Sequence, residues 1–199
     1  MKKPRIKRIQ RHLGLMPDGI IGDVTLTELE KRLGIVDEST SAWPRDNVAA
    51  LTDYYGAPGV QGGAEPDLVW FNFPYPAYLY GDKSKPVTRH RCHRKVKDSL
   101  EGILETIRDE FGLDFIKAHH LDAYYGCYNA RKMRGRSRSI SRHSWGIAID
   151  LAAKQNGFRT PWPATAEMPV EAVEVFERAS WKSGARAWGK DAMHFQATQ

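Results

Sequence analysis

Three side chains near the C-terminal end are of the types that bind a catalytic metal ion. His143, Asp150 and His194 offer two imidazoles and one carboxylate. This is a common ligand set of catalytic zinc sites, in which water takes the fourth position. The residue types therefore predict a zinc site at these three positions.

The spacing of the first two candidate ligands requires the chain to reverse between them. In an extended chain His143 and Asp150 would lie about 23 Å apart, at ~3.3 Å per residue. Zinc needs both ligand atoms about 2 Å away. Gly146 is suited to the reversal because glycine tolerates backbone conformations that other residues avoid. The apolar run 147–149 then predicts a strand that holds Asp150 rigidly.

A second carboxylate, Asp191, precedes His194 by three residues. On a continuous strand this odd spacing would put the two on opposite faces. Gly189 and Lys190 predict a turn just before them, from which Asp191 would reach a water at the metal. We therefore predict Asp191 as the general base, which accepts a proton from that water as it attacks.

Together these residues form the pattern Ser-x-His-x-x-Gly-x-Ala-x-Asp, which is followed by Asp-x-x-His at 191–194. The pattern resembles the zinc D-Ala-D-Ala carboxypeptidases and L-Ala-D-Glu endopeptidases, which include VanX/VanY-type dipeptidases and many phage endolysins. The resemblance covers about residues 45–199. It implies an α+β fold with a small antiparallel sheet and flanking helices, and it implies zinc on His143, Asp150 and His194 with Asp191 as base.

The resemblance leaves the residue that stabilises the oxyanion open. Better-known members place an arginine well upstream of the first zinc histidine, whereas the nearest candidates here are Arg131 and Arg134. A Tyr-Asn-x-Arg segment similar to that of some phage-encoded relatives favours Arg131, with Arg134 as a further substrate contact. A guanidinium there would bind a developing oxyanion or a substrate carboxylate. The alternative is a solvated basic loop.

Other candidate substrate contacts also have a purely structural interpretation. Ser141 matches a family serine that hydrogen-bonds substrate, or else it caps a turn. Trp145 and Trp188 flank the predicted site and would wall the cleft, or else they belong to the core. The segment RHRCHRK brings His90 close to Cys92 and His93, but its spacing fits no common zinc-finger pattern.

Composition limits the class of partner. The 199 residues carry 30 Lys and Arg against 24 Asp and Glu, a net charge of +6, and 41% hydrophobic residues exclude global disorder. The basic residues cluster in segments 2–11, 83–97 and 131–142, which suggests an anionic partner. Nucleic acid is not expected because we recognise no nucleic-acid-binding motif, so the charge favours peptidoglycan and other wall polymers.

Two Cys are too few for a disulfide scaffold, and no apolar run is long enough for a membrane span.

The sequence predicts three segments. Residues 1–36 form a helical unit, in which Thr25 and Glu28 make a capping box at the start of the second helix. Its IQRHLGLMPDGIIGDVTLTEL segment resembles the peptidoglycan-binding repeat of wall hydrolases, or else the unit is a hairpin that only packs. Residues 37–50 form a linker, and residues 51–199 form the zinc peptidase domain.

The periodicity of the larger domain predicts an α+β fold. Apolar spacing predicts helices over 96–111, ended by Gly112, and over 169–183, ended by Gly184. Strands are expected around LVWFNF, IKAHHL, GIAIDLA and AMHFQA.

The sequence therefore predicts a zinc peptidase that hydrolyses amide bonds in peptidoglycan peptide stems, as a monomer and in a phage endolysin-like role. It does not decide between a carboxypeptidase and an endopeptidase. The alternatives are a non-catalytic wall-binding protein or, less favoured, a basic nucleic-acid-binding protein. The first 15 residues lack the apolar stretch of a signal peptide, so we expect synthesis in the cytoplasm and action on the wall after holin-type export or lysis.

Overall fold

The computed structural model describes residues 3–15, 17, 21, 23–33, 42–133 and 139–199. The chain divides into two compact units, residues 1–42 and 43–199. The helices are α1 Lys3–His12, α2 Asp23–Leu33, α3 Val48–Tyr55, α4 Lys97–Ala118, α5 Val170–Arg178 and α6 Gly184–Trp188. The strands are β1 Leu68–Leu79, β2 Pro86–His93, β3 Ala123–Gly126, β4 Ala148–Leu151, β5 Lys182–Ser183 and β6 His194–Gln196.

The first unit contains α1 and α2. Ile6, Gln10 and Leu13 are buried at helical spacing, and the Gln10 side chain donates a hydrogen bond to Thr25 Oγ1 at 3.2 Å. The capping box predicted at Thr25 is wrong, because α2 begins at Asp23 and Thr25 lies inside the helix. Most of the intervening PDGIIG turn lies outside the described residues.

The second unit begins at Trp43 rather than at residue 51. Trp43 is buried in the core and its indole N–H donates to the Ala179 carbonyl at 3.1 Å. Helix α3 then starts at Val48, where Asn47 caps it by accepting from the Ala50 N–H. Residues 43–50, predicted as the end of a linker, therefore pack as part of the second unit.

A six-stranded sheet in the order β2-β1-β3-β4-β6-β5 organises the second unit. Strands β1 and β3 run parallel and the other neighbours run antiparallel, so the sheet is mixed. Helix α4 packs on β1, and α5 packs on both α4 and β5. The predicted α+β class with flanking helices is confirmed. The sheet was expected to be antiparallel and is instead mixed, because β1 and β3 pair in parallel.

The predicted elements around α4 and α5 agree with the structure only in part. Gly112 has non-helical backbone angles (φ 77°, ψ 172°) and interrupts α4 with a kink at the position where the sequence predicts a helix end. Phe111 and Phe115 stack across the kink, with ring centroids 4.8 Å apart. The strand predicted at IKAHHL is instead the end of α4 and a turn. The helix predicted over 169–183 ends at Arg178, and residues 182–183 form β5.

Candidate metal centre

His143 lies in a single 3-10 turn, Arg142–Trp145, which Gly146 ends in the left-handed conformation (φ 71°). A Cβ atom at Gly146 would lie 2.8 Å from Leu68 Cδ2 and 3.0 Å from the His93 backbone nitrogen. Both the backbone conformation and the close approach therefore favour glycine. The chain reversal predicted at this position is present.

Asp150 and His194 are directly opposite each other on the neighbouring antiparallel strands β4 and β6. The next residue along β6, Phe195, stacks on Phe176 of α5 with ring centroids 3.8 Å apart. Because successive side chains of a strand point to opposite faces, His194 lies on the sheet face away from α5. The register of two strands thus brings an imidazole and a carboxylate together.

The three predicted ligands form a close triangle. His143 Nε2 lies 3.3 Å from both His194 Nδ1 and Asp150 Oδ1, and His194 Nδ1 lies 2.9 Å from Asp150 Oδ1. A tetrahedral ion with ligand bonds of about 2.0–2.1 Å sets its ligand atoms about 3.3 Å apart. The triangle therefore has the size that tetrahedral coordination requires.

Hydrogen bonds on the outer side of each imidazole fix which nitrogen faces inward. His143 Nδ1 lies 2.8 Å from the Cys127 carbonyl oxygen, and His194 Nε2 lies 3.0 Å from Gln196 Oε1. The Gln196 amide nitrogen donates to Thr198 Oγ1 at 2.6 Å, so its oxygen is left to accept from His194. With both outer nitrogens donating, the inner nitrogens present lone pairs.

Three acceptor atoms therefore converge on one point, which is an unfavourable arrangement unless a cation lies between them. Outer hydrogen bonds of this kind are typical of histidines that bind metals. The residues thus fit a divalent ion by donor type, by tautomer and by spacing, and among the described residues no other group of this kind is found.

The pKa shifts of Asp150 and His194 also indicate that the cluster favours a positive charge. Burial opposes ionisation of Asp150, but the neighbouring His143 and His194 outweigh it and lower the pKa of the carboxyl group. Burial alone would lower the pKa of His194, but its hydrogen bond to Asp150 and the carboxylate charge raise it. A bound cation would take over the role that a proton plays in this electrostatic balance.

Asp191 lies beside this cluster in a strained turn. Its φ of 58° is in the left-handed region, and its carbonyl accepts from the His194 N–H at 3.0 Å, so the predicted turn is present. Burial raises the pKa of Asp191, against the opposing effects of His194 and His143. Among the described residues, Asp191 Oδ1 is the one buried side-chain oxygen or nitrogen without a hydrogen-bond partner.

Gly184 makes this position of Asp191 possible. A Cβ atom on Gly184 would lie 2.3 Å from the Asp191 carbonyl oxygen, which is far inside contact distance. Gly184 also starts α6, where Ser183 caps the helix by accepting from the Arg186 N–H. Gly184 is predicted from the sequence only as the end of a helix, although its place shortly before the Asp-x-x-His pattern was an available signal for its contact with Asp191.

Arg131 borders the same cleft as His143 and Asp150. Burial raises the pKa of Asp191, and the Arg131 charge opposes a small part of that rise. The Ser144 hydroxyl donates to the Arg131 carbonyl at 2.9 Å and accepts from the Arg131 N–H at 3.0 Å. Ser144, which the sequence analysis missed, therefore ties the backbone of Arg131 to the turn that carries His143. Arg134 lies outside the described residues.

The remaining predicted contacts divide between core and cleft. Trp145 is fully buried and its indole N–H donates to the Gly56 carbonyl at 2.9 Å, so it offers no surface to a substrate and belongs to the core. Ser141 is buried at the start of the 3-10 turn but makes no capping bond with its side chain. Trp188 is 43% exposed, and its ring lies 5.8 Å from that of His194.

Two cavities of about 450 Å³ each open at this site. The metal-cluster cavity contains His143 and Asp150 together with several aromatic side chains. The second cavity is lined by residues of the loop 60–65. Tyr128, Asn129 and Arg131 border both, so the two cavities meet beside Arg131.

Residues 134–197 match the family model of the D-alanyl-D-alanine carboxypeptidases. The match spans less than half of the chain, and it contains the three candidate ligands and Asp191. Together with the His–Asp–His cluster, it supports assignment to the zinc carboxypeptidase family and a metallopeptidase activity. No curated protein and no solved structure matches the chain. Within the described residues, no helix is long and apolar enough to cross a membrane.

Proposed function

We propose that this protein is a zinc-dependent peptidase that hydrolyses amide bonds in the peptide stems of peptidoglycan, in a cell-wall-degrading, endolysin-like role. The observation that carries the proposal is the convergence of three lone pairs beside Asp191 Oδ1, a buried oxygen without a partner. A non-catalytic binding protein would have no use for such a carboxylate, because burying it without a partner costs stability.

The chain's own residues supply positioning and proton transfer. Bound zinc would contribute a Lewis acid that polarises a carbonyl and lowers the pKa of a water to about 7. Asp191 accepts the proton of the attacking water at Oδ1 and then donates it to the leaving amine nitrogen. In the structure the Arg131 guanidinium donates to the Lys132 carbonyl oxygen at 3.3 Å. In the reaction its N–H groups would bind the oxygen that gains negative charge. His143 and His194 keep their outer hydrogen bonds throughout.

The shape of the site favours an internal cut over removal of a terminal residue. A carboxypeptidase needs a pocket that closes beyond the scissile bond, whereas an endopeptidase needs a cleft that accepts chain on both sides. The two cavities that meet beside Arg131 give room in two directions. We therefore propose the endopeptidase mode, as in L-Ala-D-Glu cleavage.

Mass spectrometry of purified peptidoglycan fragments tests the proposal directly. Digestion by the wild-type protein with added zinc is expected to split stem peptides internally. Release of free D-Ala alone would instead establish the carboxypeptidase mode. Identical fragment patterns with wild-type protein and with no protein would leave a non-catalytic wall-binding role and overturn the peptidase proposal.

The first unit supports a role in wall attachment. In α1, the helix face opposite buried Ile6 and Gln10 is basic, and the first turn of the helix contains no acidic residue. Exposed Arg5, Arg8 and Arg11 lie on this face. We propose that the face binds anionic wall polymer through charge.

Replacing these three arginines by alanine is expected to weaken binding to insoluble walls by roughly 100-fold at low salt, at about 1 kcal/mol per basic residue near an anionic surface. Hydrolysis of soluble stem peptides should not change. The matched control replaces exposed Arg45, Lys83 and Lys117 of the second unit by alanine. Binding is measured by wall co-sedimentation. Equal loss in both variants would show that binding depends on the net charge of the protein and not on this face of α1.

A further inference from the structure

The metal-cluster cavity has an aromatic wall that the proposed mechanism does not use. The wall consists of Tyr80, Tyr125 and Phe158, which line the cavity that also contains His143 and Asp150. Tyr80 is 60% exposed and packs against Tyr125 with ring centroids 5.4 Å apart, and Phe158 is 38% exposed. Because the wall and the metal cluster share one cavity, a group that lies against the wall belongs to the molecule that is cut.

Tyr80 is held in a backbone conformation that is unfavourable for a tyrosine. The turn after β1 is closed by the Asp82 N–H, which donates to the Leu79 carbonyl at 3.0 Å. Its two central residues, Tyr80 and Gly81, have φ of 57° and 73°, and turns of this kind favour Asn-Gly. Strained backbone positions cluster at functional sites. The strain therefore indicates that the exposed ring of Tyr80 serves binding rather than the fold.

The charge of the cavity limits the class of group that the wall accepts. Among the described residues that line the cavity, the acidic and basic side chains other than histidine are Asp150, in the metal cluster, and Arg131. Burial lowers the pKa of His90, which also lines the cavity, so this imidazole is neutral. A carboxylate or an ammonium at the wall would lose its hydration without gaining a partner. The wall therefore fits a neutral group with a broad apolar face.

From this geometry we infer that the aromatic wall stacks on the pyranose ring of the muramic acid sugar that carries the stem peptide. The inference rests on the proposed peptidase function and extends it by a sugar subsite. Stem peptides consist of alanine, glutamate and a diamino acid, whose side chains are small or charged. The peptide-linked sugar is neutral and presents a face of C–H groups that can pack on an aromatic ring. In L-Ala-D-Glu cleavage this sugar is attached one residue before the bond that is cut.

Two substrates with the same peptide test the sugar contact. One is the complete stem peptide, through both D-Ala residues, with N-acetylmuramic acid on its amino terminus, and the other carries an acetyl group there. We expect KM of wild type to be roughly 5- to 10-fold lower for the muramoyl peptide, as for other aromatic stacking contacts. The two kcat values should be similar, because a contact remote from the bond holds ground state and transition state equally.

The variant Tyr80→Asn separates binding from folding. Asparagine is favoured at this turn position, so the variant should unfold at the same temperature as wild type or at a higher one. The KM advantage of the muramoyl peptide should nevertheless fall to about twofold or less, with KM for the acetyl peptide unchanged. Tyr80→Phe keeps the ring and should keep the advantage. A lower unfolding temperature with an equal rise of KM for both substrates would show that Tyr80 only supports the fold, and would overturn the inference.

Trp70→Ala is the matched control, because Trp70 is also an exposed aromatic residue, at 51%, but lines neither cavity. This variant should keep the KM advantage of the muramoyl peptide. Zinc content verifies that each variant retains an intact centre. If Trp70→Ala lost as much of the advantage as Tyr80→Asn, the sugar would bind exposed rings without selectivity and the subsite would be wrong.

The same experiment separates the two proposals. If wild type hydrolyses both substrates with the same KM, the peptidase function stands and only the sugar subsite is wrong. If wild type hydrolyses neither substrate, the peptidase function is wrong and the subsite with it.

Discussion

Alanine at His194 is expected to remove the metal from the protein and to lower peptide turnover by roughly 10³-fold or more. Loss of one imidazole leaves two ligands and breaks the triangle in which His194 Nδ1 lies 2.9 Å from Asp150 Oδ1. A Lewis acid contributes several kcal/mol to stabilisation of a transition state, and each 1.36 kcal/mol corresponds to about tenfold in rate. Elemental analysis of the purified protein gives the first readout, and turnover gives the second.

The control for this change is His119→Ala, which replaces a histidine at the end of α4, away from the cluster. It should keep the same zinc content as wild type, for which we expect one zinc per chain. Gln196→Ala is an intermediate case because it leaves all three ligands in place but removes the acceptor that lies 3.0 Å from His194 Nε2, and such outer partners typically contribute 10- to 100-fold in metal affinity. Unchanged zinc content in His194→Ala would show that the metal is bound elsewhere.

Local sequence signals were sufficient to predict the centre of the site. Gly146 predicted the chain reversal after His143, and the apolar run before Asp150 predicted the strand that carries it. The α+β class followed from the same periodicities. These features are encoded within a few residues of the positions that they determine, and the structure brings His143, Asp150 and His194 together as expected.

Contacts between distant segments were not predictable in this way. Tyr124 and His90 meet across β1, which lies between their strands in the sheet, and a single sequence does not give strand order. Trp145 was predicted as a cleft wall because it neighbours His143, but the 3-10 turn points its indole to the Gly56 carbonyl. Neighbours in sequence diverge wherever the chain turns tightly.

Changing Asp191 to asparagine should lower turnover by roughly 10²- to 10⁴-fold, the usual contribution of a general acid or base. The amide keeps the size of the carboxyl group but cannot accept the proton of the attacking water. Metal content should stay at the wild-type level, because Asp191 is not among the three converging ligands. Stability is expected to be retained or to increase slightly, since the buried Oδ1 has no partner to lose.

Asp122→Asn is the matched control, because Asp122 is also partly buried with a raised pKa but does not line the cavity of the metal cluster. It should leave turnover near the wild-type value. If Asp191→Asn lost its zinc together with its activity, Asp191 would be a ligand or a support of the ligands rather than the base. If Asp191→Asn turned over substrate at a near-normal rate with zinc bound, the proton would have to pass through another group, and the strained, buried carboxylate would have no role in the reaction.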